Sequence, residues 1–298
     1  MSNPNLTQPI TIAKSLKVWF AIAVAVVMLL APLASAARLA WNDDHYTQIL
    51  AAPFITAGLI WFRRQEVFRD PQPAPRFGLA VVLLALACVL VFRPDGTSDA
   101  SGPSPSLIGA SIAFPLLGFG ASLFFFGTQS FRRALFPLLV LLLCVPIPPG
   151  AISAIERFLQ NGSADATDVI FRLIGTPVFR DGLRFSLPGV TIEVAPECSG
   201  IRSSIALFIA SLVLGYLFLR TTGAQVILFI VTLPLLIVKN AIRISTLSWL
   251  GAYVSREFLT GNLHHRGGSL FFLLAIGILL PILLLLAKFE NRSRRPSP

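Results

Sequence analysis

The sequence is short of the residues from which soluble domains and metal sites are usually built. Charged side chains make up 13% of its 298 residues, about half the share of a typical soluble domain. That shortage excludes an ordinary solvated surface. Cysteine and histidine occur three times each. Three cysteines cannot all pair, and Cys88 and Cys144 lie inside apolar runs as small hydrophobes, so no disulfide framework is expected. His45 stands far along the chain from His264 and His265, and neither a metal nor a cofactor is expected.

What is abundant is hydrophobic sequence, 55% of the chain, and it comes in long blocks rather than at amphipathic spacing. The blocks predict an all-α, polytopic integral membrane protein of about eight transmembrane helices, roughly 18–37, 46–62, 77–93, 107–127, 134–149, 201–219, 224–242 and 269–287. The second and fifth are short and contain proline. The formal net charge is +10, but the Lys and Arg sit at block ends. There they set topology and meet anionic head groups, so the partner is the lipid bilayer and not nucleic acid. Lys14 and Lys17 precede the first block and Ala34-Ser35-Ala36 follows it, in the manner of a signal peptide. The block is long enough to span, and it reads as an uncleaved first helix.

Basic residues orient the chain. The loop 63–76 holds Arg63, Arg64, Arg69 and Arg76, whereas the short loops near 38–45 and 93–106 hold one Arg each, Arg38 and Arg93. Both termini are therefore expected on the cytoplasmic side. The segment 150–200, between spans five and six, becomes a short extracytoplasmic piece. Within it, Ile152–Leu159 and Asp165–Ile174 predict two amphipathic helices at the interface. Phe185–Val194, ending in the β-branched Val190, Thr191, Ile192 and Val194, predicts an extended piece or a small hairpin. The basic tail 291–298 is expected to be disordered.

This topology brings three polar groups to the outer face. Cys198 precedes span six, Arg243 ends span seven, and His264 and His265 precede span eight. A helix start favours thiolate over thiol at Cys198, and Arg243 would act in the same direction. The thiolate is the competent nucleophile. A histidine supplies general acid–base chemistry, and the guanidinium stabilises an oxyanion or holds a carboxylate. Each residue also has a plain reading: Cys198 as a small interfacial residue, Arg243 as a head-group anchor, the histidines as a solvated turn, Glu197 as a charge at a helix start.

Three stretches together resemble the exosortase/archaeosortase family. Glu193-Val194-Ala195-Pro196-Glu197-Cys198-Ser199-Gly200-Ile201-Arg202 is similar to its cysteine motif. Leu233-Pro234 followed by Asn240-Ala241-Ile242-Arg243-Ile244 is similar to its arginine motif. His264-His265-Arg266-Gly267-Gly268-Ser269-Leu270-Phe271-Phe272 is similar to its histidine motif. The turn Val145-Pro146-Ile147-Pro148 also fits. The resemblance is carried by 135–287 within a single transmembrane domain, 1–290. It implies a membrane-embedded cysteine protease or transpeptidase in a cell inner membrane, with its active site facing the periplasm or exterior. Such an enzyme cleaves a C-terminal sorting signal of exported proteins, made of a Pro-Glu-Pro-type motif, an apolar helix and a basic cluster. It then passes the protein to a surface acceptor. By that implication Cys198 forms a thioester, Arg243 is the essential cation and His264 is the acid–base. His265 is the alternative histidine, with Asn240, Glu197 and Ser199 in support. The competing reading is a polytopic transporter or export scaffold in which Arg243 binds an anionic substrate.

Overall fold

A computed structural model describes residues 34–92, 103–195, 200–260 and 268–293. Several expected features lie outside these residues: span one up to residue 33, Arg93, Glu197, Cys198, Ser199, His264, His265 and the tail beyond 293. The described chain is all-α apart from one small sheet, as its hydropathy requires. It divides into two compact units, Met1–Pro148 and Pro149–Pro298.

In the first unit, residues 34–42 are helical. Then come α1 (Gln48–Phe62), α2 (Pro75–Val91), α3 (Pro105–Arg133) and α4 (Leu135–Val140), which tightens into a 3-10 turn over Leu141–Cys144. Proline opens α2 and α3, where its missing N–H costs nothing. Ser104 caps α3 by accepting from the Leu107 N–H at 3.4 Å. The α2–α3 hairpin packs through small residues: Gly78 lies against Phe124, Gly120 against Val82 and Gly109 against Phe92, which is how helices approach closely in lipid. Gly127 breaks α3 with φ +80°. A Cβ there would lie 1.6 Å from the Gln72 carbonyl oxygen, so only glycine lets the loop seat. Arg133 then donates to the carbonyls of Glu66 and Arg69. The basic loop and the end of α3 thus share one end of the unit, as the expected topology requires. On α1, Thr56 donates to the Pro137 carbonyl at 3.0 Å.

The second unit begins with α5 (Pro149–Leu173). This corrects the expectation of two short helices, because the helix is continuous through Gln160–Gly162. Ile152, Leu159, Gln160, Ser163, Ala164, Thr167 and Phe171 are its buried residues. They fall at helical spacing on one face, and the stripe runs through polar side chains that hydropathy reads as an interruption. The strands β1 (Phe179–Asp181), β2 (Arg184–Leu187) and β3 (Val190–Glu193) form an antiparallel sheet in the order β1-β2-β3. The expected hairpin is present, with a third strand added. Phe185, Leu187 and Val194 pack with Phe171 and Ile244 into a buried cluster.

Three long helices complete the unit: α6 (Ile201–Phe218), α7 (Thr222–Tyr253) and α8 (Gly268–Ser293). The α8 helix carries Asn291–Ser293, the first part of the expected tail. The α6–α7 corner is clamped by Glu290 of α8, whose carboxylate accepts from the backbone N–H groups of Arg220 and Thr221, at 3.0 and 2.7 Å, and from the Thr221 hydroxyl. A carboxylate suits the start of α7, where the helix dipole is positive.

Four helices are by themselves long and apolar enough to cross a membrane: Pro105–Arg133, Ile201–Phe218, Thr222–Tyr253 and Gly268–Asn291. The pair Leu135–Cys144 and Pro149–Leu173, taken as one broken span, makes five. The expected count of eight also needs span one, most of which lies outside the described residues, and α1 and α2. These have 15 and 17 residues, about 22 and 26 Å at a rise of about 1.5 Å per residue. Both are shorter than a hydrocarbon core of about 30 Å. Span five ends early because α4 becomes a 3-10 turn and Val145 is extended (φ −77°, ψ 122°) ahead of Pro146.

Candidate active site

The arginine motif lies inside α7 and not at its end. The helix has 32 residues and continues to Tyr253, well beyond the expected limit at 242. Hydropathy falls at Lys239, Asn240 and Arg243, but the helix persists because these side chains are held within the unit. Lys239 is 2% exposed and Asn240 1%.

Lys239 donates from Nζ to the Ser203 hydroxyl and, at 3.4 Å, to the Ser204 hydroxyl. Ser203 passes its own proton to the Gly200 carbonyl at 3.0 Å. The lysine therefore braces the turn at the end of the cysteine motif through one hydroxyl. Asn240 donates from Nδ2 to Ser163 of α5 at 3.0 Å, so α5, α6 and α7 meet at one polar seam. Gly200 itself has φ +68°. A Cβ on it would lie 2.7 Å from Asn240 Oδ1 and 3.6 Å from Lys239 Nζ. The glycine of Cys-Ser-Gly thus serves both a left-handed turn and a close approach to the arginine motif.

The seam carries a cation. Lys239 lies against the N-terminal end of α6, where the helix dipole adds positive potential, and Arg243 stands one helical turn further along α7. No carboxylate pairs with Lys239 among the described residues.

Arg243 is half-buried and lines a cavity of about 220 Å³. One wall is β3, with Thr191, Ile192, Glu193 and Val194. The other is α7, with Arg243, Ile244, Leu247 and Ser248, and Leu259 closes one side. Two side chains fix β3 in place. Gln160 donates from Nε2 to the Val194 carbonyl, and Arg256 donates from Nη2 to the Gly189 carbonyl at 3.0 Å.

Of the sequence-derived site residues, the structure describes Arg243 and Asn240 and places them on adjacent turns of one helix. Cys198, Glu197, Ser199, His264 and His265 lie outside the described residues. Along the chain, Cys198 is two residues before Gly200, and His264 is five residues beyond Leu259. Sequence reasoning overlooked Lys239, Ser203, Ser163 and Gln160. A lysine inside an apolar block was the available signal, because an ionisable residue in a spanning helix is costly and marks function by default. Among the described residues, no group of three or more His, Cys, Asp or Glu could hold a metal ion.

No curated protein and no solved structure matches the chain. The sequence does match the family described as transmembrane exosortase (Exosortase_EpsH), over residues 40–281. With most of its length matched, the chain belongs to the transmembrane exosortase family, multi-pass membrane proteins of transpeptidase and protease type that process sorting signals.

Proposed function

We propose that this chain is a cysteine transpeptidase that cleaves C-terminal sorting signals of exported proteins at the outer face of a cell inner membrane. The observation that carries the reading is the seam of Gly200, Ser203, Lys239 and Asn240. It holds the last residue of the Cys-Ser-Gly motif against Lys239 and Asn240, one turn of α7 before Arg243. Three sequence-distant motifs can share one substrate carbonyl only if the fold brings them together, and this seam joins two of them.

In this mechanism the Cys198 thiolate adds to the scissile carbonyl, and Arg243 stabilises the oxyanion. His264 protonates the leaving amine, leaving a thioester on Cys198. The same histidine then takes a proton from the acceptor nucleophile, which displaces the thiol and carries the protein to a surface acceptor. His265 is the alternative acid–base, and Glu197, Ser199 and Asn240 support the site. The topology that goes with this chemistry has eight spans, both termini in the cytoplasm and the segment 150–200 outside. The exosortase domain occupies 1–290, followed by a basic tail at 291–298.

The test is to treat intact cells with a membrane-impermeant thiol reagent and follow cleavage of a reporter bearing a sorting signal. Cys198→Ala should lose both labelling and cleavage. Cys88→Ala and Cys144→Ala should keep cleavage; Cys144 is buried, with its thiol 3.8 Å from the Ile49 carbonyl. Cleavage at the normal rate by Cys198→Ala would end the transpeptidase reading.

A further inference from the structure

The open side of the small sheet has unused backbone groups. β3 is the last strand in the order β1-β2-β3, so among the described residues one of its edges has no strand beside it. The register pairs Phe185 with Ile192 and Leu187 with Val190, and beyond the strand the Val194 N–H donates to the Leu183 carbonyl at 3.0 Å. Opposed residues in an antiparallel ladder alternate between hydrogen-bonded and non-hydrogen-bonded pairs. Val190, Ile192 and Val194 therefore bond inward, and Thr191 and Glu193 direct their backbone groups outward.

The side chains agree with this parity, since non-hydrogen-bonded pairs bring side chains closer. Arg184 and Glu193 pair at 3.0 Å, and the Ser186 and Thr191 hydroxyls lie 3.4 Å apart. The Glu193 carbonyl turns back to the Ala195 N–H at 2.9 Å. The Thr191 N–H, the Thr191 carbonyl and the Glu193 N–H have no backbone partner among the described residues.

That edge faces the cavity. Successive side chains of a strand point to opposite faces, yet the consecutive residues Thr191, Ile192, Glu193 and Val194 all line one space. Consecutive residues share a cavity through the strand's edge. An exposed edge is normally blunted or covered, whereas this one is pinned by Arg256 at Gly189 and by Gln160 at Val194 and faces Arg243 and Ser248 across the space. A fixed edge binds a strand with little ordering cost.

We infer that the outer edge of β3 is the substrate subsite, where an extended segment of the polypeptide to be cleaved adds as a fourth strand. The segment exchanges backbone hydrogen bonds with Thr191 and with the Glu193 N–H. That the segment belongs to a sorting signal rests on the transpeptidase reading; that it is an extended peptide follows from donors and acceptors spaced along a strand edge. Cys198 is four residues beyond Val194 on the same chain, so the subsite leads into the cysteine motif.

The experiment uses the full chain in detergent as Cys198→Ala, with a short fluorescent peptide centred on Pro-Glu-Pro as the probe. Peptide binding should slow hydrogen exchange at the Thr191 and Glu193 amides and leave Ile192, already bonded to β2, unchanged. Thr191→Pro removes an outward donor at an edge position that tolerates proline and should weaken binding about five- to tenfold, the effect of about one hydrogen bond. N-methylation of the peptide's Glu nitrogen should weaken binding to the otherwise unaltered protein by a similar factor, independently of how Thr191→Pro folds. Binding without slowed exchange at Thr191 and Glu193, full affinity of the N-methylated peptide, or no saturable binding would each overturn the inference. Thiol-dependent cleavage with unchanged exchange would remove the subsite alone. Slowed exchange together with cleavage by Cys198→Ala would remove the thiol mechanism and leave the subsite standing.

Discussion

The two units hold their helices together by different means. In the first, α2 and α3 meet through glycines set against Phe92, Phe124 and Val82. In the second, α5, α6 and α7 meet through Ser163, Asn240, Lys239, Ser203 and Ser204. Glycine contacts are enough to pack helices in lipid, so the polar seam is not needed for assembly as such. Burying a lysine costs free energy unless its donors are satisfied. A chain that uses glycine packing in one unit and a buried cation in the other has placed that cost one helical turn from Arg243, beside the proposed site.

The comparison can be broken by removing the cation. Lys239→Met keeps most of the side-chain volume and removes the charge. If the seam is functional, cleavage should fall about 10- to 100-fold, the worth of a charge-assisted hydrogen bond of about 1.5–3 kcal/mol, with yield and thermal midpoint nearly unchanged. Unchanged cleavage with a shifted midpoint would make Lys239 structural.

The glycines give the next contrast. Gly127→Ala places a methyl group where the Gln72 carbonyl lies, so folded yield should drop while activity per folded molecule stays the same. Gly200→Ala meets a side-chain atom of Asn240 at 2.7 Å and a left-handed φ, at a cost of about 1–2 kcal/mol. It should lower kcat more than yield, and Asn240→Ala in the same protein should recover part of the steric component. Equal loss of yield in both glycine variants would erase the distinction between the units.

The smallest effect is expected at the far end of the second unit. Glu290→Gln weakens the clamp on Arg220 and Thr221 and should cost about 0.5–1 kcal/mol, in line with a partly exposed charge at a helix start. A thermal shift of a few degrees with normal cleavage checks it. A large loss of cleavage would mean that the two ends of α7 are coupled.

Much of the fold was legible because hydropathy reports burial in lipid directly. Spans six and eight begin within one residue of α6 and α8, and the hairpin at Phe185–Val194 was visible in its β-branched residues. Where the reading failed, polar residues were buried. α5 runs through Gln160 and Ser163, and α7 runs through Lys239, Asn240 and Arg243. A hydropathy window scores these as breaks, whereas partners elsewhere in the sequence keep the helix intact. Arg243 and Asn240 were legible from the arginine motif. Lys239 was passed over because its partners, Ser203 and Ser204, lie 36 and 35 residues away along the chain, and no local pattern reports such a pairing.

The length of α7 also fixes a height. Arg243 stands twenty-one residues along the helix from Thr222, about 32 Å at a rise of about 1.5 Å per residue, close to the thickness of a hydrocarbon core of about 30 Å. On the proposed topology the α7 helix would work as a ruler, with Glu290 and Thr221 at its zero mark and the cation near one bilayer's distance. On the proposed function, a substrate anchored by its own apolar helix would bring its scissile bond to that mark only when its helix has a matching length. A helix longer or shorter by a full turn would have to tilt or thin the bilayer, at fractions of a kcal/mol per ångström of mismatch. Substrates would then be sorted by the length of their anchors as well as by the residues at the cut.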